Sequence, residues 1–262
     1  MPNATITTQT FVGDGSQLSL INAISTAMTT AGFSLLDSFI NGGEYRVWNF
    51  LDGSTNLILE LGFTNTTTSC TFKGYSAFDT TTNTGSNPST TSVGNIFSLS
   101  ATYTFHICNH PEYRGIMLYE GVSAKIFIGY VRPKPTLAAN TYWNDAVFPL
   151  AWIIRSASTD LTDSSCLQPI SSVQPSGIST TNSLTVIACP NGNYLNSNSA
   201  VIHPCTIVSS SADILVFTSD IGLAGASAYS LGDTINGDYQ FFSSSRSSEC
   251  KVFIRIANSE VA

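Results

Sequence analysis

The sequence predicts a mainly β fold of antiparallel, sandwich-like sheets with one N-terminal amphipathic helix. Hydrophobic residues make up 42% of the 262 positions, which is enough to form a core, although charged residues make up only 10%. Apolar residues recur at helical spacing in one segment near the start and alternate with polar residues in many short segments after it. Asn-Gly and Asp-Gly turns separate several of these segments, as is typical of β-hairpins.

The helix is predicted to begin near Asp14–Ser16 and to end at Gly32. Serine and aspartate are good N-cap residues, and glycine can adopt the left-handed conformation in which many helices end. Between them the apolar positions follow a period of three to four, at Leu18, Ile21, Ile24, Ala27 or Met28, and Ala31. The polar face is expected to carry Ser19, Asn22, Ser25, Thr26 and Thr29.

An antiparallel meander is predicted to follow, with the helix covering one of its faces. Its strands are expected at Phe33–Asp37, Tyr45–Phe50, Asn56–Phe63 and Cys70–Tyr75. The turns between the first three come from Asn41-Gly42-Gly43 and Asp52-Gly53, in which residues tolerate positive φ angles.

Two Ser/Thr-rich stretches, Asp79–Asn95 and Ser156–Thr181, are predicted to be surface loops that lie against neighbouring subunits. The second suggests a division between a helix plus antiparallel β domain, residues 1–155, and a smaller β domain or a continuation of the same fold, residues 156–262. Further strands are expected at Phe97–Asn109, Gly115–Glu120, Ser123–Val131, Ser183–Cys189, Val201–Ser209, Asp213–Ser219, Asp238–Ser243 and Lys251–Ile256.

The composition predicts a protein that makes permanent contacts with other subunits. Serine and threonine occupy about a quarter of the positions, and such a surface is easier to desolvate than one rich in Lys and Glu, which are depleted from interface cores. A homo-oligomer is therefore expected. The net charge of −7 and the scattered Lys and Arg residues argue against a nucleic-acid partner.

Apolar runs of the roughly 20 residues needed to cross a bilayer do not occur in the sequence, so membrane insertion is not expected. The start lacks the basic and apolar regions of a signal peptide, which predicts a protein made and kept in a cytoplasm or released by lysis. In that compartment the six cysteines are expected to be buried thiols rather than a disulfide framework.

One short segment has the residue types of a metal site. His106, Cys108 and His110 occur at alternate positions, and alternate side chains of a strand share one face. The favoured alternative places His106 and Cys108 on the core face and His110 in a turn before Pro111. A second, weaker candidate combines His203 and Cys205 with Cys189, and paired thiols are the favoured interpretation there.

No catalytic set or cofactor motif is predicted from the sequence. It contains neither a G-x-S-x-G elbow nor a Walker or G-x-G-x-x-G glycine pattern. Carboxylate pairs such as Asp160 with Asp163 fall in turn-like contexts, where aspartate is common. A protein that is not an enzyme, without a cofactor, is expected.

Aromatic residues cluster after the Pro-rich segment Arg132–Pro135 and are candidates for a subunit interface. They are Tyr142, Trp143, Phe148 and Trp152. Aromatic side chains are enriched at interface hot spots, and they also fill cores. A receptor- or glycan-binding platform built from Tyr142, Trp143 and Trp152 is the alternative.

Several segments, in order along the chain, resemble a family of tailed-phage virion structural proteins of the tail or baseplate region. Ala31–Ser38 resembles the opening motif of the family, with Phe33 in place of the usual Trp, and Leu57–Phe63 is similar to the strand that follows. Lys125–Pro133 and Val147–Leu150 resemble two central motifs. The closing motif is matched by Asp213–Thr218, Leu231–Asp233, Gly237–Phe242, Arg246 and Phe253–Ile256.

The resemblance implies a structural component of a tailed-phage particle, at the tail tip, the baseplate or the fibre attachment, with other virion proteins as partners. It implies no catalytic residues. The chain departs from the family in its Ser/Thr-rich loops and at His106-Ile107-Cys108. A capsid or neck component is the alternative location in the virion.

Overall fold

The computed structural model describes residues 5–52, 55–64, 69–75, 77–86, 91–95, 97–109, 113–121, 123–131, 150–154, 167–171, 185–187, 203–208, 214–224, 234–235, 239–244 and 251–255. These residues form one helix and nineteen strands, and their paired strands are antiparallel. The prediction of a mainly β fold with a single N-terminal helix is confirmed.

The first sheet has six strands and contains the first strand of the chain. In order across the sheet they are β1 (Thr5–Val12), β9 (Thr102–Asn109), β10 (Tyr113–Glu120), β11 (Ser123–Val131), β12 (Leu150–Ile154) and β13 (Leu167–Ser171). Strand β1 was not predicted from the sequence, although its threonines, Ile6 and Val12 are good strand formers. It reaches this sheet by pairing with β9, about ninety residues later in the chain.

The second sheet is the predicted meander with one strand added. Its order is β2 (Ser34–Ile40), β3 (Glu44–Asp52), β4 (Thr55–Phe63), β5 (Ser69–Tyr75) and β8 (Thr91–Asn95). A short hairpin, β6 (Ala77–Asp79) with β7 (Thr84–Ser86), connects β5 to β8. The prediction that Asp79–Asn95 is a loop is therefore wrong, because Thr91–Asn95 pairs with β5 and Thr84–Ser86 pairs with β6 in the hairpin.

The third sheet is formed by the later part of the chain. Its strands are β14 (Thr185–Ile187), β15 (His203–Val208), β16 (Ile214–Ala224), β19 (Lys251–Arg255), β18 (Tyr239–Ser244) and β17 (Thr234–Ile235), in that order. The division after residue 155 stays a prediction. Strands β12 and β13, which lie on either side of that division, pair with each other in the first sheet. The prediction that Ser156–Thr181 is a loop is therefore wrong at Leu167–Ser171.

Helix α1 (Gln17–Thr30) begins and ends where the sequence predicts. Its N-cap is Ser16, whose Oγ accepts a hydrogen bond from the Ser19 N–H at 3.3 Å. At the other end Gly32 has a φ of +93°. The Gly32 N–H donates to Thr29 O (2.9 Å) and the Phe33 N–H to Met28 O (3.0 Å), which are the two hydrogen bonds of a Schellman motif.

Two residues of the helix lie differently from the prediction. Leu18 is 46% exposed, and Ser25, which was expected on the polar face, is buried. Because successive residues are turned by 100°, Leu18 falls at the rim of the arc that includes Leu20, Ile24 and Met28. Ser25 falls at the same rim, about 20° from Leu18 around the helix axis, and is buried there because it faces Trp48 of β3, whose Nε1–H donates to its Oγ at 3.1 Å.

The main core lies where the helix meets the first two sheets. From the helix it contains Leu20, Ile21, Ile24, Ala27 and Met28; from the second sheet Trp48, Leu59, Leu61, Phe63 and Phe72; and from the first sheet Tyr103, Phe105, Ile107, Ile116 and Leu118. The helix thus fills the space between two sheets. A helix of this length is marginal alone and depends on such packing.

Arg114 of β10 binds the C-terminal end of the helix. The helix has no basic residue in its last turn. Arg114 Nη1 donates to Gly32 O at 3.3 Å, and the guanidinium lies 3.9 Å from the centre of the Phe50 ring. The side chain of Asn109 donates to Thr30 O at 3.3 Å. A cation from the first sheet therefore stabilises the negative end of the helix dipole.

Replacing Gly32 by alanine should destabilise the fold by more than the same change at Gly121. Both glycines have positive φ angles, +93° and +58°, where a side chain costs about 1–2 kcal/mol. A Cβ at position 32 would also collide with the Arg114 guanidinium, whereas position 121 is open. Urea unfolding of the two variants measures the difference, and equal losses would contradict a role for the Arg114 contact.

Candidate functional site

The predicted metal ligands are only partly brought together. His106 and Cys108 share one face of β9, as predicted, but Tyr103, Phe105 and Ile107 on the other face fill the main core. The interpretation of His106 and Cys108 as core-face residues therefore holds only in part, because their face is not that of the main core and His106 is only partly buried. Cys108 is still buried, and His106 lies edge-on to Tyr119 with 4.8 Å between ring centres.

His110 lies outside the described residues. Among the side chains that are described, no group of three or more His, Cys, Asp or Glu residues could hold a metal ion. Cys70 and Cys108 are buried thiols, and the side chains of the other four cysteines lie outside the described part.

Most residues of the predicted aromatic interface lie outside the described residues. Tyr142, Trp143 and Phe148 are outside the described residues, and Trp152 is described only by its backbone position in β12. There it lies between Gly129 of β11 and Pro169 of β13. The subunit-contact and glycan-platform interpretations both stay predictions.

A buried carboxylate that the sequence analysis did not single out lies on the face of the second sheet turned away from the main core. Glu60 of β4 is 2% exposed. Its Oε2 accepts a hydrogen bond from the Tyr75 hydroxyl at 3.0 Å. Lys73 Nζ lies 3.5 Å from Oε1, an ion-pair separation, and this oxygen accepts no hydrogen bond from the described residues. Lys73 thus compensates the charge of the Glu60 carboxylate, but only one of the two carboxylate oxygens accepts a hydrogen bond from the described residues.

Aromatic rings surround the carboxylate and are covered by the β6–β7 hairpin. Tyr45 stacks on Phe39 at 4.9 Å between ring centres, and Phe78 of the hairpin lies 5.5 Å from Tyr75 and 6.4 Å from Phe39. Tyr45 also covers Gly62, where any Cβ would collide with its ring. The result is a small second core, in which Val47, Ile58 and Tyr75 are buried.

This arrangement favours a structural role for Glu60. Its contacts among the described residues are one hydroxyl donor and one ammonium ion, with no second carboxylate. The sequence did carry a signal for it, because a single glutamate interrupts the apolar run Leu57–Phe63. Burial on both faces of the strand follows only from the hairpin, which was predicted to be a loop.

The fold should lose stability in alkali. Burial raises the pKa of Tyr75, Tyr45, Tyr103 and Tyr119, and the Glu60 carboxylate raises the pKa of the first two further. The unfolded chain, with tyrosine pKa values near 10, then releases protons before the folded protein does. Stability is therefore retained below about pH 10 and falls as the pH rises above it.

Urea unfolding between pH 8 and pH 11 measures this loss. Tyr119→Phe should flatten the decline, because it removes one of the buried hydroxyls from the titration. An unchanged slope in this variant would contradict the assignment.

Strand β2 forms an exposed edge of the second sheet that is unusually apolar. Leu35 is 49% and Ile40 is 76% exposed, and Leu36 is also exposed. The pairing with β3 shifts between Leu35 and Asp37, which indicates a β-bulge. At the exposed position that follows, the Ser38 N–H donates to Asp37 Oδ1 at 2.7 Å.

The helix extends this apolar surface. Arg46 Nη2 of β3 donates to Asn22 Oδ1 at 2.8 Å, and Trp48 contacts Ser25, so the helix runs alongside β3. Leu18, one turn before Asn22, therefore lies towards the end of β3 that pairs with Ile40. We call the set of Leu18, Leu35, Leu36 and Ile40 the β2 edge surface.

No protein-family model matches the chain, and no significant match is found among curated proteins. The resemblance to tailed-phage virion proteins therefore stays a prediction. In the described part of the chain, no helix is both long and apolar enough to span a bilayer.

Proposed function

We propose that the chain is a non-enzymatic structural component of a tailed-phage particle, located at the tail tip, the baseplate or the fibre attachment. It assembles in the host cytoplasm with other virion proteins and forms homo-oligomers. The observation that carries the proposal is the β2 edge surface, an exposed apolar strand edge on a chain of low charge. The ordered resemblance along the sequence supplies the link to phage.

The β2 edge surface supports assembly because it combines apolar side chains with the backbone of an edge strand. Unpaired strand edges that are long and apolar are sites of intermolecular pairing, and soluble proteins usually protect them. Leu35 and Ile40 expose much of their surface to water, so a partner that covers them gains hydrophobic stabilisation.

The outer face of the helix supports the same interpretation. The hydroxyls of Thr26, Thr29 and Thr30 donate to the helix carbonyls of Asn22, Ser25 and Thr26, each at 3.0 Å. These donors are already satisfied within the helix, and the face carries no long charged side chain. Covering it therefore costs less desolvation than covering a face of Lys and Glu.

Purified particles of the phage that encodes the chain test the proposal directly. Mass spectrometry should detect the protein at a fixed number of copies per particle, and a density map should locate its three sheets. Absence of the chain from washed particles would refute the proposal. Light scattering on the isolated protein tests the homo-oligomer, and a monomer at all concentrations would contradict that part.

A pair of matched variants tests whether the β2 edge surface is used in assembly. Ile40→Lys should reduce incorporation into particles, because it places a charge in the apolar contact. Val12→Lys, at a comparably exposed position on β1, should be incorporated normally. Equal incorporation of the two variants would remove this surface from the proposal.

A further inference from the structure

We propose that the free edge of β2 binds an extended segment of a partner as an additional strand, with a basic side chain of that segment placed against Asp37. The identification of the partner as another virion protein rests on the proposed function. The binding itself rests on the geometry of β2 alone.

The backbone of β2 is available for strand addition. It is the outermost strand of its sheet, and on its other side it pairs with β3 from Ser34 to Ile40. In the described part of the chain, no further strand continues the sheet beyond β2. The Ser38 N–H is occupied locally, by Asp37 Oδ1 at 2.7 Å in an exposed position. An added strand would have to compete with this carboxylate for the N–H.

Asp37 therefore determines which strands can bind. It is the only charged residue of β2 and lies in its middle. Its second oxygen is 2.8 Å from the side-chain amide of Asn83, with the amide oriented to donate. When an added strand takes the Ser38 N–H, the carboxylate loses a donor and part of its hydration. A lysine or arginine on the added strand supplies a charged donor to the carboxylate, whereas an apolar residue supplies no donor and an acidic residue repels it.

The same charge argues against a second copy as the occupant. Antiparallel pairing of two β2 strands about their midpoint places Asp37 opposite Asp37, and like charges directly opposite each other are destabilising. The β-bulge before Asp37 also disfavours regular pairing of two identical edges. The partner that fits is a different chain with the complementary charge.

Side-chain positions define the rest of the pattern in the partner. Leu35, Ser38 and Ile40 pair with Trp48, Arg46 and Glu44 of β3 and so lie on the face of the sheet that the helix covers. Asp37 lies on the opposite face. The added strand should thus carry apolar residues at alternate positions towards Leu18 and Ile40, with the basic residue between two of them on the other face.

Two labelled peptides that differ at one residue provide the probe. Their sequences are Thr-Val-Thr-Val-Lys-Val-Thr-Val-Thr and the same sequence with glutamate in place of lysine. Fluorescence anisotropy with the full chain measures the Kd of each peptide. The Kd of the lysine peptide should be at least about tenfold lower than that of the glutamate peptide. Ile40→Lys should weaken both peptides.

Asp37→Asn should reduce the preference between the peptides to within about twofold. Asp79→Asn is the matched control, since it removes one carboxylate from a turn where Asp79 accepts a hydrogen bond from Thr81 N–H at 2.8 Å, and it should keep the full preference. Equal binding of the two peptides to the wild-type chain, no binding of the lysine peptide, or a preference that survives Asp37→Asn would each overturn the proposal. A wild-type dimer that Ile40→Lys dissociates would assign the edge to a second copy instead.

These results are separable from the proposed function. A lysine preference in a chain that is absent from purified particles would refute the phage assignment and leave the strand-addition site standing. A chain that is present in particles but shows no lysine preference would refute the strand-addition site and leave the phage assignment standing.

Discussion

Replacing Trp48 by alanine should lower the free energy of unfolding by about 3–5 kcal/mol. Trp48 is fully buried where the helix meets β3 and is among the largest buried side chains described. Its removal leaves a cavity between the helix and the second sheet. It also leaves the buried Ser25 hydroxyl without the Nε1–H that now donates to it at 3.1 Å. Urea unfolding followed by circular dichroism measures the loss.

Two further variants separate packing from hydrogen bonding at this position. Ser25→Ala keeps the ring but leaves a buried indole N–H without its acceptor, which costs about 1–3 kcal/mol. Ile40→Ala, an apolar truncation at an exposed position, should stay within about 0.5 kcal/mol of the wild type. A loss for Trp48→Ala no larger than that for Ser25→Ala would contradict the packing argument.

The sequence was sufficient to predict the helix and the meander because their signals are local. Ser16 and Gly32 mark the ends of the helix, and both act as caps in the structure. The turn at Asn41–Gly43 joins β2 to β3 as predicted, with Gly42 at a φ of +71°. Such signals depend on the conformational preferences of single residues and do not need tertiary contacts.

Pairings between distant segments could not be predicted in the same way. Strand β1 joins β9, and β8 joins β5, through backbone hydrogen bonds that carry no residue-specific pattern. The partner of Ser25 is likewise set by tertiary packing: a serine at a helical position is compatible with solvent until Trp48 is placed opposite it. Burial of Glu60 has the same origin, because the hairpin that covers it is a tertiary element.

The sequence could suggest the metal and aromatic sites but not the β2 edge surface. The metal and aromatic hypotheses relied on residue types, and the described residues hold only His106 and Cys108 together, on one face of β9. The β2 edge surface relies on exposure, which a sequence does not report: Leu35 and Leu36 were predicted in a strand, and apolar strand residues are more often buried. Only the position of β2 at the sheet edge exposes them.

Tyr75→Phe should lower the free energy of unfolding by about 1.5–3 kcal/mol at pH 7. The substitution removes the only hydrogen-bond donor described for the buried Glu60 carboxylate, the Tyr75 hydroxyl at 3.0 Å from Oε2. Lys73 remains 3.5 Å from Oε1, but a single ammonium ion at that distance does not replace the lost bond. Tyr45→Phe is the matched control on the same face. It removes a tyrosine hydroxyl that does not bond to Glu60 in the described structure, and it should cost less than about 0.5 kcal/mol.

Replacing Glu60, Lys73 and Tyr75 together by apolar residues should restore the stability that Tyr75→Phe alone loses. In the triple variant Glu60→Met, Lys73→Met and Tyr75→Phe, no charge remains to be desolvated, and buried ion pairs replaced by apolar residues of similar volume are often neutral or stabilising by about 1–4 kcal/mol. We expect the triple variant to be at least as stable as the wild type, although Tyr75→Phe alone is destabilising. A triple variant less stable than Tyr75→Phe alone would mean that Glu60 contributes net stability through its pairing, and that the second core depends on charge rather than on the rings around it.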